Sequence, residues 1–211
     1  MLPLTEHWPK PVLPIDGRPV IAVLIRQLAD EGFAPVTIVT GHLAEQVEAL
    51  LAGLELRFVH QPKPDGSADA VRRAVDGGAE LPAIVSAADT VFRPGDLARF
   101  GGEFEASGAA GALAYRSHPG TAHVRIEDGL VSRVLDPESP FSAAPLWGLS
   151  DEIGLDGLPG PPFELSAAFQ GAIDAGKRVA AIEIGPTRGL TEPADLVRRN
   201  FPYLESYERD I

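Results

Sequence analysis

Three stretches of the sequence hold side chains whose chemistry goes beyond packing. Asp89 stands at the end of the apolar run "PAIVSAAD". A carboxylate at the tip of a buried strand offers hard oxygens to Mg²⁺, which usually takes one or two carboxylates together with phosphates. The same carboxylate could simply cap the backbone that follows. Lys10 lies in "PKPVLPIDGRP", where prolines at 9, 11, 14 and 19 fix φ and remove donors. A stiff loop of this kind suits the presentation of an ammonium group to an anion, and a solvated lysine ahead of a helix has the same pattern. "HQPKPDGSADAV" sets Gly66 and Ser67 at a turn before a helix. The first helical amides there point back toward the preceding strand, where they can receive an anion or a base edge. Gln61 can offer a heterocycle both a donor and an acceptor. A capped helix after a tight turn is the plainer reading of that stretch.

Other chemistries are poorly supplied. The chain of 211 residues has no cysteine, which excludes disulfides, thiolate metal sites and Cys nucleophiles. The five histidines, at 7, 42, 60, 118 and 123, show no metal-ligand spacing. His60, beside Gln61, could line a pocket, His123 reads as structural and Trp147 as packing. No Ser-His-Asp arrangement is evident. The formal charge of −12, from 18 basic and 30 acidic residues, disfavours nucleic acid and anionic membranes. A small anionic substrate remains compatible, because a local cation or a bound metal inverts the field at one site. No apolar run reaches membrane-spanning length and no positively charged leader is present, so a cytoplasmic location is the default expectation.

The elements that must position these residues alternate in period. "RPVIAVLIRQLADEG" sets Val20, Ile21, Leu24, Ile25 and Leu28 on one helical face. "PVTIVTG" reads as a buried strand, "AEQVEALLAG" as a helix and "LELRFVH" as a strand. "SADAVRRAVDGG" reads as a helix with Ser67 as its N-cap and a glycine stop. "PAIVSAAD" is a buried strand, "PGDLARFGGEFEASG" a helix weakened by Gly101 and Gly102, and "AGALAYRS" a strand. This alternation predicts an α/β fold with a mixed, mainly parallel sheet flanked by helices. Ligands of such sheets bind beyond the carboxyl ends of the strands. A β-hairpin region follows, with Asp128-Gly129 at its turn, then the strand "APLWGLS" and the loop "DGLPGPP". The helix "FELSAAFQGAIDAG", the strand "RVAAIEIG" and a helix from Pro193, interrupted by Pro202, end the pattern. No linker divides the chain, so residues 1–211 read as a single domain.

Taken together, these pieces resemble the nucleotidyltransferase superfamily that activates sugar phosphates. "PLTEHWPKPVLPIDGRPVI" resembles that family's loop and first helix, and "VTIVTGHLAEQVEALL" its second strand and helix. "QPKPDGSADAV" is similar to the family's Gln-then-Leu-Gly-Thr-Ala segment, and "SAADTVF" to its strand ending in Gly-Asp. "PFELSAAFQGAIDAGKRVAAIEI" and "LTEPADLVRRN" are similar to its later helix and closing segment. The likeness runs from Leu2 to about Asn200, and its specificity lies in the order and spacing of the pieces. It implies a Rossmann-like, GT-A-type fold. The implied reaction transfers a nucleotidyl group from an NTP to a sugar 1-phosphate and releases pyrophosphate. By the same resemblance Lys10 would stabilise charge on the phosphates and Asp89 would bind Mg²⁺. Gln61, Gly66 and Ser67 would hold the base, and Glu164 would be a sugar-side acid.

The chain departs from the family pattern in three places. The strand and Gly-rich loop ending in Gly-Thr-Arg, which precede the Pro-Leu-Thr segment in the family, do not occur in this sequence. The expectation is that they lie upstream and that Met1 is internal. The family's Glu-Lys-Pro appears as Leu135-Asp136-Pro137, and its Trp-x-Asp as Thr187-Arg188-Gly189. Alternatives on the same scaffold are a molybdopterin-type or isoprenoid cytidylyl enzyme, or a nucleotide- or sugar-binding regulatory module. A homo-oligomer stays open.

Overall fold

The computed structural model describes residues 1–117 and 122–201; His118 and Pro202 lie outside them. Two 3-10 turns, Leu4–Glu6 and Lys10–Val12, lead into a small hairpin of β1 (Pro14–Ile15) and β2 (Arg18–Pro19). Next come α1 (Val20–Asp30), β3 (Val36–Thr40), α2 (Ala44–Leu50), β4 (Leu56–His60), α3 (Ser67–Asp76) and β5 (Ala83–Ser86). They are followed by β6 (Thr90–Val91), α4 (Asp96–Ser107), β7 (Gly111–Arg116), β8 (Val124–Glu127), β9 (Leu130–Val134) and β10 (Ser142–Leu149). The described chain closes with α5 (Leu165–Asp174), β11 (Val179–Glu183), β12 (Arg188–Gly189) and α6 (Pro193–Asn200).

The fold is the expected α/β, Rossmann-like class. Among the described residues the largest sheet has six strands in the order β5-β10-β7-β11-β9-β8. It is mixed: β7 and β11 pair parallel, while β10 runs antiparallel to both β5 and β7. β5, β7 and β11 therefore share one direction, with β10 reversed between two of them. β3 and β4 pair parallel in a sheet of their own. The hairpin β8–β9 turns through Asp128 and Gly129, both at positive φ, as a tight two-residue connection requires.

Helices cover both faces of the large sheet. On one face Leu113, Leu149 and Val179 pack with Leu165, Ala168 and Phe169 of α5. On the other, Ala112, Ala114, Ala144, Leu146 and Ile182 pack with Leu97, Phe100 and Phe104 of α4 and Leu24 of α1. α1 also reaches the β3–β4 unit, because Ile21 packs with Ile38, Val47 and Leu51. Val20 of the same predicted apolar stripe packs in a third cluster with Leu190, so the stripe serves three cores at once. Trp147 packs in the first of the large-sheet cores, as expected. No helix among the described residues is long and apolar enough to cross a membrane.

Local details differ from the sequence reading. α4 runs unbroken through Gly101 and Gly102. A Cβ at 101 would stand 3.1 Å from the Ile84 side chain and 3.2 Å from that of Phe33, so the glycine lets the helix approach closely. β5 stops at Ser86, so Asp89 stands in the turn before β6 rather than at the strand tip, and all four β5 residues are half-buried rather than fully buried. Ser67 is the first residue of α3 and Gly66 its N-cap, so Ser67 does not cap its own helix.

Candidate active site

Lys10 and Asp89 meet. The Lys10 ammonium forms an ion pair with one carboxylate oxygen of Asp89, and both side chains are partly exposed. Lys10 opens its 3-10 turn behind Pro9, in the stiff loop that the prolines predict. Just beyond it Leu13 and Ile15 are buried with Val20 and Leu190. Two long-range clamps hold this loop. Arg188 donates two hydrogen bonds to the Asp16 carboxylate, at 2.5 and 2.8 Å. Asn200 donates to the Pro14 carbonyl at 2.8 Å and accepts from the Gly17 amide at 2.8 Å. The Asp16 carboxyl is held below its usual range, chiefly by the Arg188 hydrogen bonds.

The Asp89 turn rests on the short β6–β12 ladder, in which Gly189 faces Thr90. A Cβ at 189 would stand 3.4 Å from the Asp89 carbonyl oxygen. The position the resemblance assigns to a second acidic ligand is therefore beside Asp89, but here it carries no side chain. No cluster of three or more His, Cys, Asp or Glu that could hold a metal occurs among the described residues. Among the described residues the other Asp89 oxygen makes only a long 3.5 Å contact with the Thr90 hydroxyl, so it can still ligate. This donor set fits Mg²⁺ as one carboxylate completed by substrate phosphates and water.

The second group lies off the carboxyl end of β4. The Gln61 amide donates to the Thr40 carbonyl at 2.7 Å, extending the β3–β4 pairing by one residue. Its side-chain Nε2 donates to the Gly66 carbonyl at 3.0 Å and to the buried Asp69 carboxylate at 2.9 Å. Both neighbours are acceptors only, so the amide cannot flip without setting oxygen against oxygen. Oε1, which takes no hydrogen bond among the described residues, is the function left for a ligand. Asp69 also accepts from Arg72 at 2.6 Å and Arg73 at 2.7 Å. The Arg73 hydrogen bond first, and then that of Gln61, push its carboxyl down to about 2.

Gly66, Ser67 and Glu164 are drawn together by two backbone bonds. Phe163 donates to the Asp65 carbonyl at 2.7 Å, and Ala68 donates to the Phe163 carbonyl at 2.8 Å. Gly66 has φ +108°, and a Cβ there would run into the Phe163 backbone. The Ser67 hydroxyl and amide both donate to the Glu164 carboxylate, and the hydroxyl accepts from the Leu165 amide at 2.9 Å. Each helix thus caps the other: Glu164 covers the start of α3 and Ser67 the start of α5. The cap expected of Ser67 on its own helix is made on α5 instead.

His60 ends β4 with an exposed side chain, and His123 Nδ1 lies 2.8 Å from the Ser139 carbonyl, a structural contact. Asp69 escaped the sequence reading, although its arginines at i+3 and i+4 are a visible signal of a salt-bridged helix face. Arg188 and Asn200 escaped it too. Their partners lie more than 170 residues away, and no local pattern announces such a contact.

A sequence model of the MobA-like NTP transferase domain matches residues 5–204. The chain belongs to that family. Among curated relatives, it is 32% identical to a CMP-5'-(3-aminopropyl)phosphonate synthase of Streptomyces rubellomurinus over 138 residues, 63% of this chain and 22% of that protein. It is 26% identical to a low-salt glycan biosynthesis nucleotidyltransferase of Haloferax volcanii over 160 residues, 70% of this chain and 44% of that protein. It is also 26% identical over 93 residues to a D-glycero-alpha-D-manno-heptose 1-phosphate guanylyltransferase of Aneurinibacillus thermoaerophilus, covering 42% and 40%. The matches thus span less than half the length of these relatives. A structure described as a glucose-1-phosphate thymidylyltransferase from Bacillus anthracis, in complex with a sucrose, superposes with a TM-score of 0.82 at 17% identity, over 100% of this chain and 91% of that one. That likeness concerns the fold.

Proposed function

We propose that this chain transfers a nucleotidyl group from an NTP to a sugar 1-phosphate and releases pyrophosphate. The observation that carries the reading is the pairing of Lys10 with Asp89, a cation and a hard carboxylate brought side by side from separate segments. Family membership supports it. An oxygen of the acceptor phosphate bonds to the α-phosphorus of the NTP. The bond from that phosphorus to the bridging oxygen of pyrophosphate breaks, and pyrophosphate leaves with the electron pair. Such chemistry is mainly positioning and charge neutralisation.

With substrate bound, the Lys10 ammonium would neutralise charge on phosphate oxygens and Asp89 would hold Mg²⁺. Mg²⁺, when bound, polarises the α-phosphate. Gln61 accepts a hydrogen bond from the base through Oε1, Gly66 and Ser67 shape the floor beneath it, and Glu164 lies on the sugar side.

A phosphonate acceptor is the second reading, favoured by the name of the Streptomyces relative. The test is a panel of NTPs against sugar 1-phosphates and small phosphonates with Mg²⁺, with products identified by mass. A nucleotide-sugar product supports the first reading and a nucleotidyl phosphonate the second. Tight nucleotide binding with no product from any acceptor would overturn both in favour of a binding module.

A further inference from the structure

Arg116 is the last residue of β7. Its Nη1 donates to the Thr187 hydroxyl at 3.0 Å, and its Nη2 makes a long 3.4 Å contact with the Ala143 carbonyl. Its Nε is buried and has no hydrogen-bond partner among the described residues. The side chain as a whole is half-buried, and no carboxylate pairs with it among the described residues. Burial alone lowers its pKa, with no acidic group contributing.

Ser142 lies directly opposite Arg116 on β10. Directly opposed residues of an antiparallel pair share a sheet face. Ser142 is 1% exposed, and its hydroxyl also has no hydrogen-bond partner among the described residues. Two adjacent unmet polar groups of this kind are costly in an empty fold and call for a ligand.

Their place in the sheet agrees. Arg116 is two residues beyond Ala114, and Ser142 two residues before Ala144, so both continue the face packed against α4 past the end of its apolar core. That end carries Thr187, which holds Arg116 and leads into the ladder where Gly189 faces Thr90, the neighbour of Asp89. Asp136, in the segment where the family resemblance would set a lysine, is paired with Arg125 at 2.6 Å and supplies no cation itself.

We propose that Arg116 and Ser142 form a binding site for a tetrahedral oxyanion, a phosphate or phosphonate carried by a substrate. The site rests on the nucleotidyl-transfer reading for its biological ligand, and its sources are the acceptor or the triphosphate. Arg116 supplies charge and its unused N–H donors, and Ser142 a hydroxyl donor.

The probe is inorganic phosphate, titrated calorimetrically into the wild-type chain, Arg116→Met, Arg116→Lys and Ser142→Ala, beside separate titrations with an NTP and a sugar 1-phosphate. Arg116→Met is expected to weaken phosphate binding roughly 10- to 100-fold, the range for a lost hydrogen bond to a charged group. Its melting temperature should stay level or rise, because a buried Nε–H without a partner has been removed. Arg116→Lys should keep part of the affinity. Loss confined to the sugar phosphate assigns the acceptor, and loss confined to the NTP assigns the triphosphate. If Arg116→Met fails to fold, Ser142→Ala decides, since its hydroxyl holds nothing in place. Phosphate that fails to bind the wild type, or that binds the variants equally well, overturns the site. Binding needs no turnover, so Arg116-dependent phosphate binding without pyrophosphate release would refute the reaction and leave the site standing.

Discussion

Asp69 decides what Gln61 can offer. The carboxylate and the Gly66 carbonyl take the amide hydrogens and leave Oε1 as an acceptor, which the proposed reaction would use for the base. Asp69→Asn would permit the amide to turn over. It is expected to raise the KM for the NTP about tenfold, the scale of one lost hydrogen bond, with kcat little changed. A steady-state comparison with the wild type checks this. The same residue predicts acid sensitivity. Its folded pKa, about 2, lies below its ordinary value of 3.8. Its contribution to stability is therefore complete above pH 4 and is lost as pH falls from about 4 toward 2. Chemical denaturation across that window should show a drop that Asp69→Asn flattens.

At the scale of elements, the crossed caps of α3 and α5 are the joint that ties the two helices together beside Gln61. Gly66 makes the joint possible, through positive φ and through the space the Phe163 backbone fills. Gly66→Ala is expected to cost about 2–4 kcal/mol, from strain and a displaced strut together. Urea denaturation measures it. Much of this level was legible in the sequence. α1 follows its apolar stripe, the β8–β9 hairpin its Asp-Gly, and α5 its apolar face. The cross-capping was not legible, because a serine ahead of a helix looks like its cap whichever helix it serves. The β6–β12 ladder was also hidden: two residues on each side, far apart in sequence, carry no period. The exposure of β5 follows from its outer edge having no strand partner among the described residues, which an apolar run alone does not announce.

The whole molecule gathers its site from remote parts of the chain. Lys10 is near one end of the described residues, Asn200 near the other, and Arg188 and Asn200 both hold the loop that follows Lys10. Asn200→Ala should therefore lower kcat/KM several-fold while costing only about 1–2 kcal/mol of stability, the scale of two neutral hydrogen bonds. Kinetics and thermal unfolding of the same sample test both halves. The most direct test of the central account is Mg²⁺-dependent pyrophosphate release from an NTP and a phosphorylated acceptor by the wild-type chain and Asp89→Ala. Release equimolar with nucleotidylated product, reduced about 100-fold or more by the substitution, is the predicted result. Unchanged release in Asp89→Ala would contradict it.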